Sequence, residues 1–145
     1  MTDKPKSILL VEDNPADARL TREAFKSSKT LSVLTVVKDG VEAMDFLHQA
    51  GSYTNAGKPD LILLDLNLPR KDGREVLAEI KGDAVLKRIP VAVFTTSRAE
   101  KDINKCYDLN ANCYIVKPAD LDHYFEAIRA TEQFWLSTVT QPPHD

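Results

Sequence analysis

The chain has 145 residues, 43% of them hydrophobic and 28% charged, with a formal net charge of -3. That is enough chain to bury a core as one domain, and too little positive charge to drive binding to nucleic acid. MTDKPK leads into only a short apolar run and no stretch of about 18 apolar residues follows, so neither an export signal nor a membrane span is expected. Cys106 and Cys113 are the only cysteines, expected as reduced, packed thiols of a cytoplasmic protein.

Five apolar runs appear in order: SILLV (7–11), LSVLTVV (31–37), LILL (61–64), VAVF (91–94) and CYIV (113–116). Most lack polar alternation, which predicts parallel strands covered on both faces. Amphipathic segments separate them. PADARLTREAFKSS predicts a helix capped by Asn14, with Pro15 at its first position and Leu20, Ala24 and Phe25 on one face. DGVEAMDFLHQAG predicts a stripe of Val41, Met44 and Leu47 and a stop at Gly51, before the loop GSYTNAGKPD (51–60). DGREVLAEIKGD carries Val76, Leu77 and Ile80, and AEKDINKCYDLNAN carries Ile103, Cys106 and Tyr107. DLDHYFEAIRATEQFWLSTV is the longest segment, with Leu121, Phe125 and Ile128 available to the core. The pattern is (βα)5, an α/β class with right-handed crossovers and helices on both faces of a parallel sheet. We expect one domain over 1–139, its last helix extended from about 121 to 139, a short tail at 140–145 and no effector domain.

In an open parallel sheet, ligands bind beyond the carboxyl ends of the strands. The first run ends in Glu12-Asp13, the third in Asp65, the fourth in Thr95-Thr96-Ser97 and the fifth in Lys117-Pro118; the second ends in Lys38-Asp39-Gly40, where Asp39 suits a helix cap. Three carboxylates in one crevice raise one another's pKa unless a cation intervenes. With oxygen ligands and no His or thiolate, that cation is Mg²⁺ sooner than zinc. Such a crevice suits phosphoryl transfer: Lys117 and the Thr95 hydroxyl take phosphoryl oxygens, and a carboxylate beside the metal attacks phosphorus. Singly, each residue has a plainer explanation. Asp13 would be a turn residue, Lys117 a surface lysine and Thr95 an ordinary strand residue. Four strand ends supplying matched chemistry together argue against coincidence.

ILLVEDN, PDLILLDLNLPRKDG, IPVAVFTTS and CYIVKP make the chain resemble a two-component response-regulator receiver domain over nearly its whole length. The resemblance implies a doubly wound, flavodoxin-like fold with strand order 2-1-3-4-5. It implies that Asp65 accepts phosphate from a sensor histidine kinase, that Asp13 binds Mg²⁺ directly, that Glu12 acts through water and that Asn67 contributes its backbone carbonyl. Lys117 would contact the phosphate across a cis Lys117-Pro118 peptide. Thr95 and Tyr114 would be the switch pair, Thr96 being the competing hydroxyl. LILLDLNLP then makes sense: the apolar strand carries Asp65 to the mouth of the sheet because the charge is the reactive group.

VEDNPADARLTREAF, DGVEAMDFL, NANCYIVKP and EQFWLSTV further resemble the small stand-alone regulators of phytochrome-type photoreceptor kinases, especially cyanobacterial ones. The upstream partner would then be a light-sensing histidine kinase, with output through an unknown downstream protein or a phosphorelay. Tyr124, Phe134, Trp135 and Leu136 extend the apolar character of the last helix. They either cap their own core or anchor a homodimer through the fourth helix, fifth strand and fifth helix. Such a protein is not an enzyme beyond its own phosphorylation and dephosphorylation. Three rivals are weaker. A haloacid-dehalogenase-type phosphatase needs a second acid where Asn67 stands. An FMN-binding flavodoxin needs a phosphate loop where Glu12-Asp13 stand. A constitutive scaffold needs no reactive aspartate.

Overall fold

A computed structural model describes residues 5–28 and 31–143. Its strands are β1 (Lys6–Val11), β2 (Ser32–Val37), β3 (Leu61–Leu64), β4 (Val91–Thr95) and β5 (Cys113–Val116). Its helices are α1 (Pro15–Lys26), α2 (Gly40–Leu47), α3 (Gly73–Gly82), α4 (Glu100–Asp108) and α5 (Leu121–Gln133). The five strands form one parallel sheet in the order β2-β1-β3-β4-β5, the doubly wound flavodoxin-like arrangement. Among the described residues no helix is long and apolar enough to cross a membrane.

The unbroken apolar runs follow from cover on both faces. Leu9, Val11, Ile62, Leu64, Val91 and Val93 point into one core with residues of α2 and α3, and with Cys106 of α4. Ile8, Leu10, Leu61, Leu63, Ala92 and Phe94 point into the other, with Ala24 and Phe25 of α1 and Tyr124 and Ile128 of α5. β2 and β5 depart from the expected burial: Val33 is 54% exposed and every residue of β5 is only half-buried. They are the outer strands, so each has a neighbour on one side only.

Caps set the helix starts. Asn14 accepts from the backbone N–H groups of Ala16 and Asp17, with Pro15 following; Asp39 caps α2, Asp72 and Glu75 form a capping box on α3, and Asp120 caps α5. α2 stops earlier than Gly51 suggests. Gln49 takes a φ of 56° beyond the helix, and the N–H groups of Gln49 and Ala50 bond to Phe46 and Asp45 carbonyls, a Schellman closure made without glycine.

Two inward faces, those of α4 and α5, differ from the sequence pattern. Tyr107 is 49% exposed and Leu121 52% exposed, while Asp102, Tyr124 and Leu136 are buried. On α5 the stripe facing the sheet runs through Tyr124, Ile128 and Thr131, with Leu121 and Phe125 on its flank. The helix continues past Gln133 as a π-helical turn, Phe134–Thr138, which brings Leu136 into that same core. Among the described residues no peptide bond is cis, so Lys117-Pro118 is trans, the isomer that X–Pro bonds favour by about 0.5–1 kcal/mol.

One close approach positions the end of β3. A Cβ on Gly73 would lie 2.2 Å from the Asp65 carbonyl oxygen and 2.6 Å from Leu66 Cα. The first turn of α3 therefore rests directly on the backbone that carries Asp65, and the Gly73 N–H donates to the Leu66 carbonyl at 2.9 Å. Gly82, at the other end of α3, has nothing within 4 Å of its missing Cβ. Alanine at Gly73 is expected to cost about 1–3 kcal/mol by overpacking. At Gly82 it should be neutral or stabilise by about 0.4–1 kcal/mol through the unfolded chain. Urea denaturation of the two variants checks the contrast.

Candidate functional site

The sheet register decides which strand ends meet. Val11 pairs with Leu64, so Glu12 and Asp65 leave neighbouring strands at one level, and Thr95 pairs with Val116, one residue before Lys117. Side-chain alternation then sends Glu12 and Lys117 toward the α1/α5 face, with Phe94, and Thr95 toward the α3/α4 face. Two polar networks result, one on each side of Asp65.

On the first side the Lys117 ammonium, 7% exposed by residue, donates to Glu12 Oε1 at 2.5 Å, Asp17 Oδ2 at 2.8 Å and Asp65 Oδ2 at 2.9 Å. It also stands 5.8 Å from the centre of the Phe94 ring. Glu12 (2% exposed) and Asp65 (7%) are buried, whereas Asp13 is exposed at the rim. Burial raises the Glu12 carboxyl to about 7, with the charge of Asp65 adding to the effect and Lys117 opposing it. Asp65 is buried too, yet the charge and hydrogen bond of Lys117 and the hydrogen bond of Thr95 outweigh desolvation and hold it below its ordinary value. Desolvation works against the Lys117 charge, but its bonds to Asp17 and Glu12 raise it above the ordinary lysine value. Asp65 is thus kept as the charged carboxylate, the form that attacks an electrophile.

Oxygen atoms of Glu12, Asp13 and Asp65 lie within 4.8 Å of one another, close enough for one cation to touch all three. The donor set is carboxylate oxygen alone, which suits a hard divalent cation. Asn67 sits at the rim of this cluster, its N–H directed at Asp65 Oδ1 from 3.4 Å.

On the second side, Thr95 is fully buried and Thr96 exposed, which separates the two candidate hydroxyls. The Ser97 N–H faces Thr95 Oγ1 at 3.5 Å, the Ser97 hydroxyl donates to Asp102 Oδ2 at 2.6 Å, and the Tyr114 hydroxyl donates to the Ser97 carbonyl at 2.9 Å. Arg74 ties α3 to α4 by bonding Asp102 Oδ1 through Nε at 3.0 Å, and it also bonds its own cap residue Asp72. The sequence reading brought out Thr95, Ser97 and Tyr114 but not Asp102 or Arg74. No short-range pattern links an arginine on one helix to an aspartate 28 residues later. Asp17 was missed for a different reason: an acid in a first helical turn has an ordinary role toward the helix dipole.

Of the four dimer candidates, two are corrected. Tyr124 is 4% exposed, packs edge-on against Phe94 with ring centres 5.2 Å apart, and shares a 3.3 Å hydrogen bond with Thr21. Leu136 is 4% exposed in the same core. Phe134 remains 48% exposed, edge-to-face with the half-buried Trp135. A cavity of about 280 Å³ at the opposite end of the sheet, beside Pro59, Val85, Arg88 and Pro90, is lined among the described residues by no carboxylate or hydroxyl side chain and lies far from this chemistry.

Fold and site together define a receiver. The chain belongs to the response regulator receiver domain family, whose model matches residues 8–129. Within that family it resembles cyanobacterial phytochrome response regulators. It is 53% identical over 141 residues to response regulator Rcp1 of Synechocystis, covering 97% of this chain and 96% of the relative. The crystal structure of the phosphorylated cyanobacterial phytochrome response regulator RcpA superposes with a TM-score of 0.93 at 57% identity, covering 97% of this chain and all of that one. The Mn²⁺-bound form of Rcp1 superposes with a TM-score of 0.92 at 54% identity, covering 96% of this chain and all of that one.

The Asp102 bridge gives a pH test of the second network. Bonds from Ser97 and Arg74 hold its carboxyl below the ordinary 3.8, against the opposing effect of burial. A depressed folded value makes the unfolded chain the stronger proton binder, so this stabilisation is present above 3.8 and lost as pH falls through the folded value. Asp102→Asn is therefore expected to melt below wild type at pH 7, with the gap closing under strongly acidic conditions. Melting curves of both proteins across the acid range would contradict the bridge if the gap stayed constant.

Proposed function

We propose that the protein is a response regulator that accepts a phosphoryl group on Asp65 from a sensor histidine kinase in the presence of Mg²⁺. The observation that carries this reading is the Lys117 ammonium 2.9 Å from Asp65 Oδ2, with Glu12 and Asp13 beside it. An Asp65 carboxylate oxygen attacks phosphorus of the phosphohistidine; the P–N bond breaks and its electron pair returns to the imidazole. Glu12, Asp13, Asp65 and the Asn67 carbonyl would hold the cation, which supplies neutralisation of the phosphoryl oxygens. Lys117 contacts one phosphoryl oxygen and Thr95 another. Movement of Thr95 toward the phosphoryl group acts on the Ser97 segment, whose carbonyl holds the half-buried Tyr114 ring through its hydroxyl. That bond makes the pair a two-state element that phosphorylation biases.

The kinase in this reading is a phytochrome-type photoreceptor, supported by the likeness to Rcp1 and RcpA. The regulator acts in the cytoplasm and passes its signal by protein–protein contact or phosphorelay. Its receiver domain is residues 1–139, with 140–145 as a tail. Phe134 and the outer edge of Trp135 are its dimer anchors, Tyr124 and Leu136 being committed to the core.

Incubation with acetyl phosphate and Mg²⁺ should add one phosphoryl group to wild type and none to Asp65→Asn, read by intact-protein mass. Equal labelling of both would end the assignment of Asp65. Sedimentation with and without beryllofluoride, on wild type and Phe134→Ala, reports whether dimerisation follows the same switch. A dimer that is indifferent to both would move the signal to other contacts.

A further inference from the structure

Asp17 is not part of the acidic cluster that would hold a cation, yet it makes one of the three ion pairs of Lys117. The other two partners, Glu12 and Asp65, belong to that cluster. One ammonium and one divalent cation therefore compete for the same two carboxylates. The ammonium cannot escape to water, since the Lys117 side chain is only 4% exposed, and a buried charge stripped of its partner is strongly disfavoured. Repulsion between the two cations would push it away from the metal.

Asp17 offers the remaining place. Its carboxylate is 24% exposed, 2.8 Å from Nζ, on the α1 side of the crevice. Its backbone is pinned: the N–H donates to Asn14 Oδ1 at 3.1 Å, and the carbonyl accepts from Thr21 Oγ1 at 2.9 Å and the Tyr124 hydroxyl at 3.4 Å. Tyr124 in turn packs on Phe94, the ring beneath the ammonium. The mount and the lysine thus share one rigid support.

We propose that Asp17 is a positioning residue that retains the Lys117 ammonium when a divalent cation claims Glu12 and Asp65, leaving it poised for a phosphoryl oxygen. This rests on the reading of the crevice as a cation site. Asp17 acts through Lys117 and touches no reacting atom. Its competing role is only that of an acid near a helix N-terminus, or of one more negative charge near the metal.

The two roles separate in a double-mutant cycle on the full chain, with Mg²⁺ affinity measured calorimetrically. Asp17→Asn is expected to weaken Mg²⁺ binding roughly tenfold, about 1.4 kcal/mol. In a Lys117→Met background the same change should cost less than about twofold, because the coupling runs through the lysine. Asp17→Glu, which keeps a carboxylate, should recover most of the affinity, and melting curves of each variant control for folding. Equal losses with and without Lys117 would reduce Asp17 to a bystander charge, and no loss in either would remove it from the site. If wild type itself failed to bind Mg²⁺, the cation-site reading would fall first and this proposal with it. Loss of binding confined to the Asp17 variants would leave phosphate uptake on Asp65 standing as a separate result.

Discussion

Everything at the mouth of this sheet is arranged around one buried ammonium. Lys117 stands within 2.9 Å of three carboxylates that come from β1, α1 and β3. Without it, Glu12 and Asp65 would have to share protons or stay apart, because two desolvated like charges at contact raise each other's pKa. With it, Asp65 remains ionised while the proton preference falls on Glu12. With Asp13 at the rim, four carboxylates face one ammonium, so the crevice keeps a surplus of negative charge that a divalent cation matches. In the proposed function, affinity for the cation and readiness for phosphoryl transfer would be one electrostatic property.

The fold makes that cluster by registration. The parallel register brings the carboxyl ends of the strands to one rim, and alternation along each strand allots successive residues to opposite faces. Lys117 and Glu12 lie on the α1/α5 side, and Thr95, Ser97 and Asp102 on the α3/α4 side, with Asp65 in reach of both. The first network holds charge; the second holds a loop. Arg74, Asp102, Ser97 and Tyr114 link α3, the β4–α4 connection and β5 through hydrogen bonds of 2.6 to 3.0 Å. In the proposed function, a displacement of Thr95 would act through this network on a surface formed by two helices and an outer strand. Gly73 serves the same geometry from below, since only a residue without a side chain lets α3 rest on the Asp65 backbone.

Much of this was legible in the sequence, and the failures have physical causes. The runs before Glu12, Asp65 and Thr95 are apolar because both faces of an inner strand are covered, and the run on the outer strand β5 before Lys117 is apolar as well, so strand ends could be read and their residues pooled. Caps at Asn14 and Asp39 were visible because a helix start is a local event. The face of α5 was misjudged because Leu121 and Tyr124 are both apolar enough to be core. Which of them is buried depends on how the helix lies on the sheet, and here Phe94 receives the tyrosine. The place of Leu136 stayed open between core and dimer because the π-helical turn that folds it inward has no signature in the sequence pattern.

The sequence by itself determined the fold class, the strand order through family resemblance, and which aspartate stands at the mouth of the sheet with carboxylate, hydroxyl and lysine companions. Those are carried by hydrophobic period and by residues adjacent to strand ends, both of which are short-range properties of the chain. Only the tertiary structure decided that Asp17 joins Lys117, that Arg74 and Asp102 brace the loop beside Thr95, and that Phe134 is exposed where Tyr124 is not. Each of those depends on side chains from separate elements arriving within about 3 Å or failing to. Distances of that kind are set by how helices pack across a finished sheet, which no local pattern encodes.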